Sequence, residues 1–286
     1  MKRYEVLGFK IKEPEFLFNT FLPERLSEYQ ELKNPDAYNQ DFYRCMAIQA
    51  ECWEAALEHL GFGPIQDVQL HLNRGMDYCV EFYLSDWWRH EPTPGILNEF
   101  PHNWKEVCEI DAIGMDKTRT DWEFGSYSPL LYTFMLGGLT NRWADVEKIC
   151  QWFDEAFDNK FQGGFITDEN ELFLLCMTFH TSGRKLSCLD EMIATVRNSK
   201  SKRTRLLCAA WEAAVAKDQA AFDRAFAEGL KIFVAKEIDN GPNVMLWMAV
   251  KDTAVWAIAE RSGLRFPKLN DKCEAVVIRR ETIGLA

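Results

Sequence analysis

The run LLCAAWEAAVAKDQAAFDRAFAEGLKIFVAK, Leu206 to Lys236, decides the fold class. Its second half places Phe222, Ala225, Phe226, Gly229, Leu230 and Phe233 at helical intervals, so they form one apolar stripe. Its first half, Leu206–Ala216, has the same period and is separated from the second only by Lys217-Asp218. Two amphipathic helices joined by so short a connection form an antiparallel hairpin.

The pattern recurs outward from this point. Phe42, Cys45, Met46, Trp53, Ala56, Leu57 and Leu60 describe a helix with Asp41 as its expected N-cap and Gly61 as its stop. Pro64 is expected to start a second helix running to about Trp88. Leu130–Leu139 and Ala144–Phe157 form a further hairpin across Thr140-Asn141-Arg142. Asp168 and Ser187 are expected to cap helices ending near His180 and Asn198. Gly241-Pro242 is expected to open one long last helix, stopped at Gly263, with a tail around Phe266, Pro267, Leu269 and Val276–Ile278 packing back on it. The expected architecture is all-α: stacked antiparallel helical hairpins in an irregular array resembling a helical repeat, without a strict period. The expected organisation is an N-terminal helical subdomain over 1–90, an irregular segment over 91–125 punctuated by Pro92, Pro94, Gly95, Pro101 and Gly114, and a C-terminal helical domain over 126–286. One continuous domain is the alternative.

Charge is distributed unevenly. The 286 residues carry a net charge of −11. Residues 1–110 hold 19 acids against 10 bases and residues 111–180 hold 12 against 5, a net −16, whereas the remainder is net +5. This balance argues against nonspecific nucleic-acid binding by the whole chain; it suits either solubility alone or a cationic partner for the acidic portion. Nine cysteines, none in a CxxC pair and most in apolar helical contexts, read as buried thiols of a reducing compartment. The N-terminus has no stretch resembling a signal peptide, and Lys251-Asp252 interrupts the longest apolar segment, so a cytoplasmic protein without a membrane span is expected.

No motif points to catalysis. The five histidines (59, 71, 90, 102 and 180) lack the HExxH spacing that sets two imidazoles over zinc. His59 and His71 approach one another in the expected hairpin, but no third ligand completes a site. Gly137-Gly138 and Gly163-Gly164 are not followed by a phosphate-loop lysine, and no serine has a nucleophile-elbow context. The acids Asp121, Glu123, Asp168, Glu169 and Glu171 lie at loops or helix starts, where an α/α enzyme can hold paired carboxylates but where acids also complement the helix dipole. No cofactor and no metal are expected. The densest aromatic and charged clusters are Asp86, Trp87, Trp88 and Glu91, and Asp121, Trp122 and Glu123; they flank the irregular segment and suit a partner-binding surface, the alternative being that one of Trp87 and Trp88 is core and the other lines the loop. Lys251 and Asp252 point about 100° apart on an otherwise apolar helix, so each needs its own partner or a wet face.

The run Leu206–Asp218, with Ala221-Phe222, Ala227-Glu228-Gly229-Leu230, Thr253–Leu264 and Phe266-Pro267, resembles the all-helical immunity protein 49 family of bacterial polymorphic-toxin systems. The resemblance covers roughly residues 200–285, extending to the Trp143–Phe157 helix. It implies a cytoplasmic antidote that binds a cognate protein toxin, a basic one in view of the acidic front, and no enzyme. It brings no functional residues with it. A helical adaptor gripping a peptide or protein, and an α/α enzyme, are the alternatives.

Overall fold

A computed structural model describes residues 2–8, 40–62, 68–84, 127–152, 169–238 and 244–285. Among these residues the chain is helical and has no strand. The helices are α1 (Arg3–Val6), α2 (Gln40–Leu60), α3 (Val68–Leu84), α4 (Tyr127–Thr140), α5 (Trp143–Trp152), α6 (Glu169–Ser182), α7 (Leu189–Arg197), α8 (Lys202–Val215), α9 (Gln219–Lys236), α10 (Val250–Arg261) and α11 (Asp271–Glu274). Short 3-10 turns occupy Val244–Trp247 and Arg280–Ile283.

Two kinds of helix build the body. The stripe read in α9 is buried residue for residue: Phe222, Ala225, Phe226, Gly229, Leu230 and Phe233. By contrast, α6 buries the unbroken run Leu172–Phe179, and α10 buries Asp252–Ala259. A helix apolar on every side belongs in the interior. Accordingly α4 packs against α2, α3, α5, α6 and α10, while the hairpins α2/α3 and α8/α9 flank this centre. One apolar cluster includes residues from Ile48 to Ile283.

Glycines set the central spacing. A Cβ at Gly138 would lie 2.3 Å from Ala257 Cβ of α10, and one at Gly137 would lie 2.1 Å from Val146 Cγ2 of α5. The Gly-Gly pair therefore lets α4 approach two neighbours more closely than any side chain permits.

The turns follow from local chemistry. Asn141 and Lys217 take positive φ, 59° and 57°, to close the α4–α5 and α8–α9 connections. Gly61 and Gly263 end α2 and α10 in the same left-handed region. Ser201 and Asp218 cap α8 and α9 by accepting from Thr204 N and Ala221 N.

Some expected boundaries move. α2 begins at Gln40, which puts Asp41 inside the helix. α7 starts after Cys188, which makes no side-chain cap, so Ser187 falls one residue short of the N-cap position. α8 begins a turn earlier than its apolar run, because Ser201 supplies the cap. The expected single last helix is broken. Val244–Trp247 is 3-10, and Ala249 leaves helical geometry (φ −77°, ψ 70°) as its N–H donates to Val276 O at 2.8 Å. That bond draws in the tail, whose Val276, Val277 and Ile278 are fully buried. The expected starts at Pro64 and Asp168 lie outside the described residues, as does everything expected between Ser85 and Ser126.

Candidate functional site

The candidate surface residues Asp86, Trp87, Trp88, Glu91, Asp121, Trp122 and Glu123 lie outside the described residues. Their flanking helices are described, and their register is defined. Gly75 of α3 faces Leu136 of α4, Cys79 bonds the side chain of Thr133, and Arg142 Nη1 donates to Asn73 O at 3.0 Å. Numbers rise along α3 as they fall along α4, so the two helices are antiparallel. Leu84, which precedes the first acidic–aromatic cluster, and Tyr127, which follows the second, therefore belong to the same end of this pair. Arg142 fixes the opposite end by also pairing with Asp77 (2.6 Å) and Asp145 (2.7 Å).

A second cluster was not picked out by the sequence reading. Glu51 and Glu54, one turn apart on α2, are both buried. His71 Nδ1 donates to Glu51 Oε2 at 2.6 Å, and Arg74 donates to the same carboxylate through Nε (2.8 Å) and Nη2 (3.2 Å). The close α2–α3 approach that allows this comes from Gly75, where a Cβ would stand 3.1 Å from Glu51 Cβ. The hydrogen bond to Glu51 raises the pKa of His71. Burial raises that of Glu54, partly offset by the His71 charge. The signal was present in the sequence as Glu-x-x-Glu and His-x-x-Arg at helical spacing, but acids on an amphipathic helix read first as a solvated face.

The histidines expected near one another serve different places. His59 is sealed at the end of α2, with Nε2 3.0 Å from Ala275 O and Nδ1 2.7 Å from Thr282 Oγ1. Burial brings its pKa down to about 3. It is a neutral strut between α2 and the C-terminal tail. Arg3 of α1 reinforces the corner by donating to His59 O at 2.9 Å. His180 is exposed at the end of α6 and stands edge-on to Trp211, with centroids 5.5 Å apart.

Lys251 and Asp252 are each bridged to a different neighbour. Lys251 Nζ donates to Asn170 Oδ1 of α6 at 2.8 Å. Asp252, 1% exposed, receives both terminal nitrogens of Arg203 from α8, with Nη1 to Oδ1 at 2.9 Å. The guanidinium fits because Gly229 lies beneath it: a Cβ there would meet Nη1 at 2.7 Å. It also lies over the Phe233 ring at 5.7 Å.

The side chains of cysteines 52, 79, 150, 176, 188, 208 and 273 are buried. Burial pushes Cys79 and Cys208 up to about 12, far from thiolate chemistry at neutral pH. Glu169, at the start of α6, accepts from the Ser199 hydroxyl. Among the described residues no group of three or more His, Cys, Asp or Glu side chains is placed to hold a metal ion, and no helix is long and apolar enough to cross a membrane.

No protein-family model, no curated protein and no solved structure matches this chain.

Proposed function

We propose that this chain is a protein-binding antidote, a helical body that neutralises a cognate basic toxin by forming a stoichiometric complex with it. The observation that carries this reading is the antiparallel register of α3 and α4. It brings the helix ends next to Asp86-Trp87-Trp88 and Asp121-Trp122-Glu123 to one end of the body. Two acidic–aromatic sequences rooted together suit an interface in which tryptophans fill pockets and carboxylates steer a cationic partner. The net −16 of residues 1–180 supports the same partner, and so does the resemblance of residues 200–285 to immunity protein 49.

The test uses the product of the gene immediately upstream of this chain's own, which this reading expects to be the toxin. Co-expression should restore growth to cells producing that toxin. Trp88→Ala and Asp121→Lys should each weaken the purified complex by at least about tenfold, the loss expected of an interface hot spot. Unchanged affinity in both variants removes this surface, and failure of the wild-type chain to rescue growth removes the antidote reading.

A further inference from the structure

We draw no further inference here: the strongest candidate, the group of the Cys176, Cys188 and Cys208 thiols and the Met192 thioether where α6, α7 and α8 pack, carries nothing, because these side chains are buried in the core and no three or more His, Cys, Asp or Glu donors among the described residues are placed to hold a metal ion.

Discussion

Arg203–Asp252 and Glu51–Glu54–His71–Arg74 are built from the same chemistry, a buried carboxylate met by an arginine across a helix pair, yet they end differently. In the first, Asp252 takes both terminal nitrogens of one fork, Glu237 stands 3.7 Å from its Nε, and Gly229 clears the space for it. In the second, two acids share cations that satisfy only Glu51. The lesson is that a buried carboxylate held by both terminal nitrogens of a guanidinium ties two helices together, whereas two carboxylates one turn apart draw on one set of cations and are held unequally.

The largest effect should come from breaking the matched pair. Asp252→Ala strands a buried guanidinium and should cost about 3–5 kcal/mol, read as a lowered denaturant midpoint. A loss below about 1 kcal/mol would mean that Glu237 or water holds Arg203 instead, and the contrast between the two clusters would fail. Next is Gly138→Val, which forces α4 away from α10, the helix carrying Asp252. It should cost about 1–3 kcal/mol or more while leaving the His71 ring resonances in place, since α2/α3 packs on another side of α4.

The pH dependence sharpens the contrast from inside a single hairpin, with His59 on α2 and His71 on α3. His59 has its folded pKa lowered to about 3, so the unfolded chain binds its proton more readily. Its contribution is present above the unfolded value of about 6.5 and is lost as pH falls below it. His59→Gln should therefore flatten the acid limb of a stability–pH curve. His71 has the opposite sign. Its raised pKa gives a contribution that is full below about 6.5 and fades as pH rises through the folded value. The smallest effect is that of Glu54→Gln on the unbound protein. The raised pKa of this acid makes folding less favourable as pH climbs past its unfolded value, so the amide should leave stability at neutral pH unchanged or slightly higher. A clear loss would show that Glu54 already has a partner within the chain.

The elements legible in the sequence were those written in local periodicity. The α9 stripe, the turn at Lys217-Asp218 and the stops at Gly61 and Gly263 depend on residues a few positions apart. What was not legible depends on distant partners. The demand of Asp252 for a cation was evident, but its answer lies 49 positions earlier, at Arg203. The break before α10 is set by a bond from Ala249 to Val276, which no apolar run encodes. Gly137-Gly138 carried no phosphate-loop signature, and its role as a contact point between helices appears only once α5 and α10 are packed against it. His59 and His71 belong to one hairpin, which suggests neighbours, yet they face the tail and Glu51 respectively.

Holding another protein is what this helical body is proposed to do. Light scattering on a size-exclusion column, with the chain mixed at micromolar concentration with the product of the gene immediately upstream of its own, tests it in one experiment. A single peak with the summed mass of one copy of each is the expected result. Two separate peaks at the masses of the isolated proteins would contradict it.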